Sequence, residues 1–175
     1  LSLVKAVLAA GLYPNVIVAP RDLGDKTVGE NAFRSLKGDV NVHPCSVVFK
    51  DTTLYSRYCV YHEIVKTKKI YVRDCTAISP LALLLFGGSL TVYQEKGVVS
   101  VDNWLRFRVS AKSATLVKHL RSQMEDRLLE KIVKPEEDTM QSKQGQILVN
   151  SVSLLLEDEE KNIIGKKGWR RSGKN

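Results

Sequence analysis

Between residues 16 and 109 the hydrophobic residues come in short β-branched and aromatic runs, each closed by a turn, and only after Ser110 does the spacing become helical. Val16-Ile17-Val18, Val40-Asn41-Val42, Tyr58 to Val65, Ile70 to Cys75, Leu90 to Tyr93, Val98 to Val101 and Trp104 to Val109 have strand chemistry. Gly38-Asp39, Lys66 to Lys69, Glu95-Lys96-Gly97 and Asp102-Asn103 are the turns between them. From Ala114 through Val117, Leu120, Met124 and Leu128 to Ile132 the spacing of three or four residues predicts an amphipathic helix stopped by Pro135. Gln146 to Leu156 is a candidate second helix, and the chain past Glu157 reads as frayed. Ser79 to Phe86 reads as a helix-like insert. Leu1 to Ala10 reads as a helix end with Gly11 as its left-handed cap and Pro14 beyond. Arg21 to Lys37, polar and Gly-containing, is expected to be a mobile loop. Five to seven strands with a mid-chain helix and a closing helix predict a mainly β fold, a small barrel of the oligonucleotide-binding (OB) type with flanking helices. An immunoglobulin-like sandwich fits less well, since it needs no helix in mid-chain.

Charge then separates the function classes. The 175 residues carry a net +8, but residues 50–121 hold 12 basic and 5 acidic side chains whereas 122–160 hold 4 and 10. A basic middle suits a polyanionic partner. Three cysteines without a paired framework imply a reduced, intracellular protein, cytoplasmic or nuclear. The longest uncharged run, Cys75 to Gln94, is broken by Pro80, Gly87 and Gly88, so no membrane span is expected. Helical spacing already at Leu1, with no initiator Met and no cap before it, suggests a piece of a longer chain, and no charged segment suggests a secretory leader.

Most chemistry-bearing patterns give way to bland explanations. Gly168 to Lys174 has phosphate-loop spacing, but Asn175 stands where Ser or Thr is required and no strand precedes it. His43, Cys45, Cys59, His62 and Cys75 include both zinc-ligand types but no Cys-x-x-Cys knuckle, so the cysteines read as small apolar residues. Glu136-Glu137-Asp138 and Glu157 to Glu160 read as solvated helix ends. No catalytic site, cofactor site or metal site is expected. The informative stretch is Tyr58 to Thr76, where two strand-like runs flank a lysine-rich turn. Alternation puts Tyr71 and Arg73 on one face and Ile70 and Val72 on the other. Cations there would meet phosphates and rings would stack on bases; a solvated hairpin with core-facing tyrosines accounts for the pattern equally well.

The same residues carry a resemblance. Leu3 to Val16 resembles the end of the helical domain of DEAH/RHA-type (DExH-box) RNA helicases. Val42-His43-Pro44-Cys45-Ser46-Val47 resembles the "HPxSV" turn of the OB-like domain that follows it, Tyr61 to Thr76 its "YxExVKTxxxYxRDxT" segment, and Leu83 to Gly88 its "LLLFGG" block. Four motifs in order, over residues 1 to 134, are most similar to the RNA helicase A/maleless-like and related DExH proteins. The resemblance implies an end of an upstream helical domain (1–14), an OB-like domain with closing helix (15–134), a possible extra helix (135–160) and a basic, disordered tail (161–175). It further implies a parent enzyme that is an ATP-dependent 3′-to-5′ RNA helicase, with ATP and Mg²⁺ bound by upstream RecA-like motor domains in the same chain. This region would then grip single-stranded RNA, or DNA, beside the motor. Position by position, the contacts fall on His43, Ser46, Lys66, Thr67 and Arg73; charge and stacking add Lys68, Lys69 and Tyr61. Phe86, Gly87 and Gly88 would close the barrel and pack on the motor core. The alternative is a module whose main partner is a regulatory protein controlling the motor.

Overall fold

The computed structural model describes residues 1–20, 26–136 and 142–172, of which 165–172 by backbone alone. Helix α1 (Ser2–Leu12) includes Gly11, which has no left-handed φ; the helix ends instead at Tyr13, whose backbone is extended. Pro14 explains this correction, because a proline disfavours helical geometry in the residue before it. Strands β1 (Val16–Val18), β2 (Ala32–Ser35), β3 (Gly38–Val42), β4 (Tyr58–Val60), β5 (Glu63–Lys66), β6 (Ile70–Arg73) and β7 (Thr76–Ile78) form one sheet in the order β5-β6-β3-β2-β1-β4-β7. After α2 (Pro80–Phe86) come β8 (Leu90–Tyr93), β9 (Val98–Val101) and β10 (Leu105–Arg108), an antiparallel sheet of three. Helices α3 (Ala111–Val133) and α4 (Lys143–Ser172) complete the fold.

The predicted class stands, with five further corrections. The OB-type sheet is open: among the described residues no ladder joins its edge strands β5 and β7, so there is no closed barrel. The run Tyr58 to Val65 divides into β4 and β5 because the chain changes partner: the Tyr61 N–H still bonds Asn15 O at 3.0 Å, in register with β1, whereas the His62 N–H bonds Arg73 O at 3.2 Å, on β6. The expected mobile loop Arg21 to Lys37 holds structure: residues 21–25 lie outside the described residues, but Val28–Glu30 is a 3-10 turn and Ala32–Ser35 is β2. Thr27 and Glu30 cap that turn reciprocally, and Val28 and Phe33 are almost wholly buried. Helix α4 continues through Ser172, past the point at Glu157 where fraying is expected. The fifth correction concerns the acidic run within it, described below.

Strict alternation gives the sheet two cores. Val16, Val60 and Ile78 face the helices, whereas their neighbours Ile17, Cys59 and Ala77 face a second cluster with Phe33, Val40 and Val72. The registers Val16↔Val60 and Ile17↔Cys59↔Ala77 keep each set on its own side. On the helical side sits α2. Ser79 caps it by accepting from the Ala82 N–H at 3.1 Å, and Pro80 occupies its first position. Leu83, Leu84 and Leu85 are all buried, and the helix packs against α1, α3 and α4.

Both ends of α2 are closed by other helices. The Leu81 N–H donates to the Glu159 carboxylate at 3.1 and 3.2 Å, and Arg121 donates to the carbonyls of Leu84 at 3.5 Å and Gly87 at 2.8 Å. The acidic run Glu157 to Glu160 is therefore not merely a solvated helix end. Glu160 pairs with Lys5 at 2.6 Å and accepts from the Ser2 hydroxyl, which ties α4 to α1. Burial pushes the Glu159 carboxyl upward, while Lys5 and Ser2 hold that of Glu160 down. Lys5 also lies over the Tyr55 ring, 4.1 Å from its centre. The Gly-Gly pair has a packing reason: a side chain at Gly88 would run into the Asp102 carboxylate, which accepts from the Ser89 N–H at 2.7 Å and from the Tyr13 hydroxyl. Burial and Asp102 together push the Tyr13 phenol up to about 12.

Two outcomes test this arrangement. Arg121→Ala strips two carbonyls of α2 of their partner and lowers stability by about 1–3 kcal/mol in urea unfolding, whereas Lys96→Ala, on an exposed turn, changes it by less than about 0.5 kcal/mol. A thiol reagent at neutral pH modifies exposed Cys45 first, half-buried Cys75, whose thiol burial pushes up to about 11, more slowly, and buried Cys59 only on unfolding. Cys45→Ser removes the fast phase.

Candidate nucleic-acid interface

Strands β5 and β6 form an antiparallel hairpin in which Glu63 faces Arg73, Ile64 faces Val72, Val65 faces Tyr71 and Lys66 faces Ile70. The Thr67 N–H donates to Lys69 O at 2.8 Å and its hydroxyl to the same oxygen at 3.3 Å, closing the tip. Lys66, Thr67, Lys68 and Lys69 all project into solvent, and none of the three lysines makes an ion pair among the described residues. A tight turn with three unpaired ammonium groups is an anion-attracting surface.

The second strand of the hairpin also runs parallel to β3, pairing Asn41 with Tyr71 and Val42 with Val72. That register carries the chain after β3 past Arg73, and the His43 N–H donates to Val72 O at 2.9 Å. Residues 30 apart in sequence thus meet: Arg73 Nη2 lies 3.2 Å from His43 Nε2. The opposite ring nitrogen, Nδ1, accepts from the Cys45 N–H at 3.1 Å. A backbone N–H and a guanidinium can both only donate, so a neutral ring accepts from one of them and leaves the other without an acceptor. The imidazole and the guanidinium therefore converge where the ring's neighbours offer one donor more than the ring can accept. Tyr71 packs edge-on to the His43 ring, centres 5.7 Å apart, and steadies it. Arg73 Nη1 reaches Glu63 at 3.4 Å across an exposed pair, which leaves little net interaction, and its Nε is buried without a partner.

Two expected contacts sit elsewhere. Tyr61 is 7% exposed and packs with Ile17, Phe33 and Cys59, so its ring is closed off from a stacking base. Ser46 is also buried, its hydroxyl having no hydrogen-bond partner of ordinary geometry; it lies near the Cys75 thiol and works against the upward push of burial there. Tyr71 is the half-exposed ring that sequence reasoning left out of the site, although its alternation with Arg73 is the pattern that marks it. The possible zinc set does not gather: among the described residues no group of three or more His, Cys, Asp or Glu could hold a metal. The phosphate-loop-like tail lies outside the residues whose side chains are described. No described helix is long and apolar enough to cross a membrane.

Comparison with known proteins identifies the family. Residues 4–90 match the oligonucleotide/oligosaccharide-binding (OB)-fold family model, and residues 97–158 match the C-terminal domain in RNA helicases. The chain is 34% identical over 91% of its length to the mouse ATP-dependent DNA/RNA helicase DHX36, of which it covers 16%. It is 33% identical over 90% of its length to the Xenopus laevis ATP-dependent RNA helicase dhx29, covering 11% of that protein. With the Arabidopsis thaliana DExH-box ATP-dependent RNA helicase DExH1 it shares 36% identity over 91% of its length, again 16% of the relative. The chain thus spans less than one fifth of these curated relatives, and it belongs to the C-terminal, OB-fold-bearing region of the DEAH/RHA-type (DExH-box) RNA helicases.

Proposed function

We propose that this region is the single-stranded RNA grip of an ATP-dependent 3′-to-5′ RNA helicase, whose RecA-like motor domains, with their ATP and Mg²⁺, belong to the same protein, cytoplasmic or nuclear. The observation that carries the reading is the convergence of His43 Nε2 and Arg73 Nη2 at 3.2 Å beside a hairpin tip of three exposed lysines. A phosphate oxygen there accepts from the guanidinium, and charge-assisted bonds of this kind are the strong ones. Lys66, Lys68 and Lys69 at the hairpin tip hold neighbouring phosphates, while Thr67, whose hydroxyl is turned to Lys69 O, shapes the tip. Tyr71 orients His43, and Ser46 supports the turn that carries it. The contacts are to the backbone of the strand, so they position RNA without reading its sequence. ATP supplies the work in the motor domains; this region supplies friction on the strand.

Fluorescence anisotropy with a short labelled single-stranded RNA tests this. Neutralising three or four phosphates gives a log K against log salt slope of roughly −2 to −3, at about −0.7 per contact. Replacing Lys66, Lys68 and Arg73 by alanine removes the part of that slope that these cations carry. His43→Ala weakens binding by about 1.5–3 kcal/mol, the worth of a hydrogen bond to a charged group. Salt-independent or sequence-strict binding would overturn the reading; unchanged affinity after loss of the hairpin cations would favour a regulator-docking module instead.

A further inference from the structure

The three-stranded sheet has one face in the core and one outside it. Leu90, Val101 and Leu105 share one cross-strand row and Val92, Val99 and Phe107 the next, all in the helical core. The alternate rows point the other way: Thr91, Ser100 and Arg106, then Tyr93, Val98 and Arg108, with Ser100 on the central strand itself wholly buried. Arg106 and Arg108 are exposed, Tyr93 is 39% exposed, and the ring belongs to neither core cluster. The Tyr93 hydroxyl donates to Asn103 Oδ1 at 3.3 Å, which draws the ring along this face toward the turn between β9 and β10 and holds it. Lys96 stands in the exposed turn beside Tyr93.

The outward side chains of β10 are cationic. The sheet and its turns, residues 90–108, hold three basic side chains, Lys96, Arg106 and Arg108, and two acidic ones, Glu95 in the exposed turn and Asp102. The Asp102 carboxylate is already taken by Ser89 and Tyr13. Among the described residues Lys96, Arg106 and Arg108 make no ion pair. Two residues of strand separate the arginines, about 6.7 Å, a stride that suits successive phosphates of an extended strand. A fixed, exposed ring in the same row as a guanidinium adds what a purely anionic partner would not use, a stacking platform for a base.

We propose that the outer face of the β8-β9-β10 sheet is a second contact for single-stranded RNA, built by Tyr93, Arg106 and Arg108 with Lys96 at its edge and separate from the β5-β6 hairpin. One strand of RNA held at two places cannot slip while the motor advances, and neither place reads sequence. An acidic peptide would meet the cations but leave the ring idle.

The test is anisotropy of the 175-residue chain with labelled oligouridine across a salt series, with circular dichroism confirming that each variant is folded. Arg106→Ala with Arg108→Ala reduces the magnitude of the salt slope by about 1.4, two contacts at about 0.7 each. Tyr93→Ala weakens binding about tenfold without changing the slope, and Tyr93→Phe retains it. The chain lacking Lys66, Lys68 and Arg73 keeps residual binding that the face variants then remove. If the face variants leave affinity and slope untouched while the hairpin variant loses all binding, this inference fails and the hairpin reading stands. The converse result sinks the hairpin reading alone, and absence of binding by the unaltered chain sinks both. Competition by polyglutamate as strong as by unlabelled oligouridine would also overturn the proposal, since it would show a surface for polyanions in general.

Discussion

The short helix α2 is the constraint on which the rest of the molecule depends. Its seven residues are too few to hold a helix together by backbone bonds alone, and they are apolar on every side. Such a segment is helical only if surrounded, and its free amides and carbonyls must find partners away from water. Ser79 and Glu159 receive its N-terminal N–H groups, and Arg121 donates to its C-terminal carbonyls. The charges have the right signs, a carboxylate at the positive end of the helix dipole and a guanidinium at the negative end. Because Glu159 comes from α4 and Arg121 from α3, closing α2 at both ends also fixes where the two long helices lie.

That arrangement decides which parts of the sheets stay exposed. The helical core covers one face of β1, β4 and β7, and the second cluster covers the other, so these strands are enclosed on both sides. The proposed contacts fall on the parts that project: the hairpin at the edge of the large sheet and the outer face of the small one. Each positions cations on regular strands and tight turns, where little conformational freedom remains to be lost on binding. The two surfaces differ in design. At the hairpin, a histidine fixed by a backbone N–H and a packed tyrosine meets an arginine from another strand. On the small sheet, arginines and a tyrosine are neighbours through register alone.

The sequence made much of this legible. Period-two and period-three-to-four patterns located most of the strands and helices, and the lysine-rich turn marked the hairpin tip. The misses have physical causes. Strand β2 was hidden because Ala32, Arg34 and Ser35 carry little strand propensity of their own; Phe33 and Ser35 are buried, and Phe33 is the one large apolar side chain that holds the segment in the sheet. Tyr61 looked available for stacking because a tyrosine in an alternating run has no label for which side is core. The acidic residues of α4 looked solvated because a carboxylate that caps another helix has the same sequence signature as one in water.

By itself, then, the chain of residues determined the local elements, the basic middle and the motifs that place it among the DExH-box helicases, since these depend on neighbours a few positions apart. Only tertiary structure decided which side of each strand is buried and whether the sheet closes. It also brought His43 to Arg73, Glu159 to Leu81 and Arg121 to Gly87, pairs separated by 30, 78 and 34 residues. Contacts at that separation are set by packing and register, which no short window of sequence contains.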